Sequence, residues 1–278
     1  MNIFSPDQLN AMTDDERKAV LESEFGRSFH ISAAEHVAWI FWTRDIDEPS
    51  EILDQGSAFI LRREDNLFLV TAAHVYRGYL EDRKDHGRLY CQVQNCTVQN
   101  LSVHLIACGN LNLPLEEPDR EPDIAVFRLT PGAAERIGKM PIDGPKDDWP
   151  APPNVGENVM IAGFPGRGRI NIKRDEINFG IYSAMTPVTS ITDHQISCRF
   201  DREYWIDAHG LGLPPLGYGL GGISGGPLLI PDFRDGAWFW RLGGVISQAP
   251  DERPAKNVLF ESVVIASRRI YFAGRHVG

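Results

Sequence analysis

Hydrophobic spacing changes once along this chain. In TDDERKAVLESEF (Thr13–Phe25), Val20, Leu21 and Phe25 fall near one face at helical period, and Thr13 with Glu16 forms a capping box. This predicts a helix stopped by Gly26, inside an N-terminal helical extension over residues 1–30. From His36 onward short apolar runs rich in β-branched and aromatic residues replace the helical pattern. HVAWIFW, GSAFILRR, NLFLVTAA, LYCQVQ, VHLIACG and DIAVFRL read as strands, with one short polar helix around Tyr76–Lys84. The segment Pro141–Gly156, dense in Pro, Gly and Asp, reads as a linker. Beyond it NVMIAGF, INFGIYSAM, HQISCRF, PLLI and WFWRLGGVIS are again strand-like, with Asp235-Gly236 as the turn between the last two. No helix–strand alternation and no internal repeat occurs. The pattern is that of a mostly β chain in two halves.

The 278 residues suffice for one large domain or two modest ones, and the composition is that of a globular protein. A formal charge of −10 argues against a nucleic-acid or anionic-membrane surface, since either needs clustered Lys and Arg. The start, MNIFSPDQLNAMTDDERK, lacks a basic segment followed by an apolar run, so no secretory signal is read. The uncharged run Gly210–Pro231 is too rich in Pro and Gly for a spanning helix. A soluble, cytoplasmic protein is expected. Four cysteines (Cys91, Cys96, Cys108, Cys198) without a Cys-x-x-Cys pair read as buried thiols, and no metal or cofactor is expected. His30, His36, His86, His104, His194, His209 and His276 make no metal spacing and read as structural or surface residues.

GYGLGGISGGPLLI (Gly217–Ile230) poses the chemical question, because it satisfies two glycine motifs at once. Gly217, Gly219 and Gly222 spell the dinucleotide fingerprint, but prolines follow where a phosphate-binding helix must begin. Gly222, Ser224 and Gly226 spell a hydrolase elbow, but that fold places its Asp and His after the serine, and only His276 follows Ser224. A serine needs a base, and the base needs an orienting group. Upstream, LVTAAHV ends in His74 and PDIAVFRL opens with Asp123, so the order is His, Asp, Ser.

Thr71-Ala72-Ala73-His74, Asp123-Ile124-Ala125 and Gly222-Ile223-Ser224-Gly225-Gly226-Pro227 closely resemble the histidine, aspartate and serine boxes of the chymotrypsin-like (trypsin-like) serine proteases. The serine box agrees in five positions of six. The separations, 49 residues from His74 to Asp123 and 101 from Asp123 to Ser224, are similar too. The resemblance covers about residues 31–278. It implies two packed six-stranded antiparallel β-barrels, the first about 31–140 and the second about 157–278, joined by the linker 141–156. It further implies a serine endopeptidase in which Ser224 attacks the carbonyl, His74 is base and then acid, and Asp123 orients His74. The N–H groups of Gly222 and Ser224 would form the oxyanion hole, where glycine permits backbone angles that side chains resist.

Taken singly, each residue has a structural use: His74 as a strand-end core histidine, Asp123 as a turn cap, Ser224 as a turn residue. A protease-fold binding module without activity is the alternative function, and an α/β-hydrolase-type esterase a third. Asp193-His194 is set aside because strand neighbours face opposite ways, and Asp119 lacks the Ile-Ala of the aspartate box. By resemblance the substrate pocket takes in Tyr218, Ser247, Gln248 and Ala249. With no carboxylate among them, cleavage after neutral rather than basic residues is expected. The partners expected are a protein or peptide substrate and a regulatory protein that restrains the enzyme. In precursor-made family members an Asp just before the serine pairs with a newly cut N-terminus. Ile223 stands there, so no cut is expected to be needed.

Overall fold

Most central strands are buried on both faces, which is why their sequences are continuous apolar runs rather than alternating ones. The computed structural model describes residues 4–45, 51–108, 122–144, 152–173, 176–193, 195–199, 207, 209–210, 212, 220–248 and 263–267. Three helices lead: α1 (Pro6–Asn10), α2 (Asp14–Glu22) and α3 (Glu24–Ala34). The capping box is present, with the Thr13 hydroxyl accepting the Glu16 N–H and Glu16 accepting the Thr13 N–H. Gly26 does not stop a helix. The break falls at Ser23 and Gly26 lies inside α3, where a side chain would sit 2.1 Å from the Leu21 carbonyl oxygen. Glycine at this position permits close approach rather than termination.

The first sheet contains β1 (Val37–Thr43), β2 (Ile52–Arg63), β3 (Asn66–Thr71), β4 (Tyr90–Val93), β5 (Cys96–Gln99), β6 (Leu105–Cys108), β7 (Ala125–Leu129) and β8 (Ile142–Asp143). Helix α4 (Ala73–His86) follows β3, and α5 (Pro131–Ile137) follows β7. The order is β5-β4-β1-β2-β3-β7-β6, with β8 parallel to β2. This is a curled eight-stranded sheet and not the six-stranded barrel expected. The β4–β5 hairpin extends the β1 edge and β8 adds to β2, while β5 and β6 do not pair among the described residues.

The second half has β9 (Asn158–Gly163), a β10 (Arg169–Lys173) and β11 (Glu176–Phe179) hairpin, β12 (Tyr182–Ile191), β13 (Gln195–Arg199), β14 (Pro227–Arg234), β15 (Ala237–Gln248) and β16 (Val263–Ser267). Six of these pair antiparallel in a ring, β12-β13-β16-β15-β14-β9. Asp235 and Gly236 turn β14 into β15, both at positive φ (52° and 79°), as a tight hairpin requires.

Period-two alternation sorts the apolar side chains into three cores. Ala58 and Ile60 of β2 face the inside of the first sheet, with Leu69 and Phe127. Phe59 and Leu61, one residue out of phase, face a layer between the sheets with Val70, Met160, Leu229 and Val245. Val159, Ile161, Leu228 and Ile246 fill the second sheet. The N-terminal helices cover the outside of the second half. Phe29 packs edge-on against Trp238 and Trp240, Trp240 donates to Ser32 Oγ at 3.0 Å, and Trp238 donates to the Phe4 carbonyl at 2.9 Å. His30, 1% exposed, is hydrogen-bonded at 2.9 Å to Ser183 on β12, which also contacts His209 at 2.9 Å.

Among the described residues no helix is long and apolar enough to cross a membrane. All four cysteines are free thiols, and Cys91, Cys96 and Cys198 are buried.

Candidate functional site

His74 and Asp123 meet because a helix start needs an acceptor. Helix α4 begins after Ala72, whose side chain has no oxygen to take a first-turn N–H. Asp123, just ahead of β7, fills that role. Its Oδ1 accepts the His74 backbone N–H at 2.8 Å, and its Oδ2 faces the ring Nδ1 at 2.5 Å. One carboxylate therefore fixes both the backbone and the imidazole of the same residue. A carboxylate at Nδ1 assigns the proton to that nitrogen and leaves Nε2 as the basic atom. The two side chains are 31% and 21% exposed, so the ring remains reachable while its partner is partly shielded. Nearby on β6, burial pushes the Cys108 thiol up to about 12, with the Asp123 charge acting in the same direction and Arg77 against it.

Ser224 lies in a turn docked onto the end of β3 that leads into His74. The Ser57 N–H donates to the Ser224 carbonyl at 2.8 Å, and the Thr71 hydroxyl donates to the Ser57 carbonyl at 2.7 Å. Gly225 carries the tightest contact. With φ at +90°, a side chain there would stand 2.0 Å from Ser57 O, 2.2 Å from Thr71 Oγ1 and 3.0 Å from the Ala72 nitrogen. Only glycine allows the serine turn and the histidine strand to approach this closely. Ser224 is half-buried as a residue, and among the described residues its hydroxyl makes no hydrogen bond to the His74 ring. A catalytic hydrogen bond is often long before substrate arrives, so this geometry is compatible with one forming.

Two backbone N–H groups of the turn, Gly222 and Ser224, donate to no acceptor among the described residues. Gly222 has φ of +101°, in the region the sequence reading required of it. Of the pocket residues, Ser247 is buried on β15 and Gln248 is exposed, whereas Tyr218 and Ala249 lie outside the described residues. Asp119, His194 and His276 lie outside them as well.

Three contributors carry no sequence motif. Asp54 on β2 lies near the imidazole. Although Asp54 is exposed as a residue, partial desolvation of its carboxyl pushes it up, helped by Asp82 and opposed by the Gln55 N–H, His74 and Arg169. Ser57 touches the serine turn through its N–H and its hydroxyl, and Gly166 through its N–H, always on backbone carbonyls of the turn, and no local pattern announces such contacts. Among the described residues no group of three or more His, Cys, Asp or Glu is placed to hold a metal ion. No known family model matches the chain, and no curated protein is significantly similar to it.

Proposed function

We propose that the chain is a serine endopeptidase with the two-barrel plan of the chymotrypsin-like proteases, hydrolysing peptide bonds through His74, Asp123 and Ser224. The observation that supports this most is the double grip of Asp123 on His74 beside a serine turn docked against Thr71 and Ala72. A capping carboxylate alone would need only the backbone N–H. Aligning its second oxygen with Nδ1 is what a general base requires. The curled first sheet and the ring of six strands in the second half are in keeping with that plan.

In this reading, His74 Nε2 takes the Ser224 hydroxyl proton as the oxygen attacks the scissile carbonyl carbon. The carbonyl oxygen becomes an oxyanion held by the Gly222 and Ser224 N–H groups. Collapse breaks the C–N bond, and His74 returns the proton to the leaving amine. Water then repeats the sequence on the acyl-enzyme, releasing the acid and restoring Ser224. The substrate is a protein or peptide, and a protein regulator restrains the enzyme.

One observation favours a second reading, a protease-fold module that binds without cleaving: Ser224 Oγ and His74 are not hydrogen-bonded. A fluorophosphonate probe separates the two. Labelling of Ser224 in native protein, lost on denaturation and in Ser224→Ala, is the result expected of the enzyme. A silent native protein that still binds peptides would establish the second reading.

A further inference from the structure

The serine turn contains a weak point. Rotating the Gly221–Gly222 peptide changes only ψ of one glycine and φ of the next, where no side chain resists. The same rotation would swing the Gly222 N–H out of the place where an oxyanion would sit. In relatives activated by cutting, an aspartate before the serine orders this turn, but here that position is Ile223, 1% exposed and packed in the core of the second sheet.

We infer that Ser57 is the positioning residue that holds the oxyanion turn in the intact chain; this rests on the protease reading above. A trans peptide points its N–H opposite to its C=O, so fixing one aims the other. The Gly221 carbonyl is held by the Gly166 N–H at 2.6 Å, which aims the Gly222 N–H the other way. The Ile223 carbonyl is held by the Gly226 N–H at 2.9 Å, which likewise aims the Ser224 N–H. Ser57 governs the first of these from two sides. Its hydroxyl donates to the Gly222 carbonyl at 2.9 Å and accepts the Phe164 N–H at 2.8 Å. Phe164 is joined to Gly166 through Pro165, whose φ of −60° and ψ of 138° make a stiff extended link. Pinning Phe164 therefore places the Gly166 N–H beneath Gly221. Ser57 is wholly buried and both capacities of its hydroxyl are used, so it cannot rotate away without stranding two backbone groups. Its own N–H holds the Ser224 carbonyl, so the same residue reaches the turn on both sides of Ile223.

The test compares wild type, Ser57→Ala and Gly166→Pro on a peptide substrate, with kcat and KM separated and Tm recorded. Ser57→Ala removes the hydroxyl bridge, and Gly166→Pro removes the second donor at a place whose preceding ψ already suits proline. Losing a whole oxyanion donor costs about 10²- to 10³-fold in kcat, so loosening one predicts a loss of roughly 10- to 100-fold with KM within about threefold. The rate of phosphonate labelling should fall in step. Wild-type kcat in both folded variants overturns the inference and leaves the protease reading standing. A rise in KM with kcat unchanged also overturns it, since that would mean a role in substrate binding. If wild type neither cleaves nor labels, the protease reading falls and the inference with it.

Discussion

Acidification should loosen the N-terminal helices from the second half through His30. This ring is 1% exposed, and burial pushes it down to about 4, the neighbouring His209 adding in the same direction and the contact with Ser183 opposing. The unfolded chain takes up a proton near pH 6.5 while the folded chain refuses it until about pH 4. Stability is thus fully present above 6.5, falls as pH drops, and levels off below about 4. The full span corresponds to roughly 3 kcal/mol, of which about 2 kcal/mol is lost by pH 5. His36 and His209, also held down by burial, add to the loss as pH falls below 6.5. Urea unfolding at pH 7 and pH 5 measures it, with tryptophan fluorescence as a local reporter because Trp238 and Trp240 touch Phe29 and Ser32. Asparagine can reproduce the Nδ1 contact without titrating, so His30→Asn should remove about 2 kcal/mol of the difference between the two pH values. An equal pH 7 to pH 5 loss in variant and wild type would refute the reasoning.

Ser224→Ala and His74→Ala should each lower peptide turnover by roughly 10⁴-fold or more, and the double variant should be little worse, which steady-state kinetics will read. Asp123→Asn still offers an oxygen to the His74 N–H, so Tm should move little while kcat falls by roughly 10⁴-fold through the wrong ring tautomer. Gly225→Ala would drive a methyl to 2.0 Å from Ser57 O at a φ of +90°, and urea titration should show destabilisation above about 3 kcal/mol or no folded protein. Cys91 and Cys198, buried and pushed up to about 12, should resist alkylation at pH 8 until the chain is denatured, as mass spectrometry would show.

Runs such as GSAFILRR were legible because a strand buried on both faces needs apolar residues at every position, and β2 supplies alternate residues to two cores. Helix α5 was missed although it carries its signals: Thr130 caps it, Pro131 opens it and Gly138 closes it at φ +68°. Seven residues are too few for a helical period to emerge. The strand β10, RINIK, has no apolar run and is defined by its pairing with β11. In the site, the boxes around His74, Asp123 and Ser224 are local patterns and could be read. Ser57 could not, since its hydroxyl serves backbone groups 107 and 165 residues away, and a buried serine looks the same whatever it bonds. His30 was read as structural for want of a pattern, and its partner Ser183 lies 153 residues on.

Position 223 and the N-terminus bear on one another. An aspartate before Ser224 would be buried among Ile161, Leu228 and Ile246, and a partner such as a terminal ammonium would have to offset the desolvation. The N-terminal helices are committed elsewhere. The Phe4 carbonyl accepts from Trp238, Phe4 stacks edge-on with Phe25, Phe25 with Phe29, and α3 is anchored to β12 through His30. Bringing a cut end to the serine turn would mean stripping that aromatic ladder from β15. On the proposed protease reading, an isoleucine at 223 offers such an end no partner, and groups already inside the fold would order the turn. Ser57 is suited to this because it belongs to β2, whose two faces are locked into separate cores, so its position does not depend on the serine turn it holds.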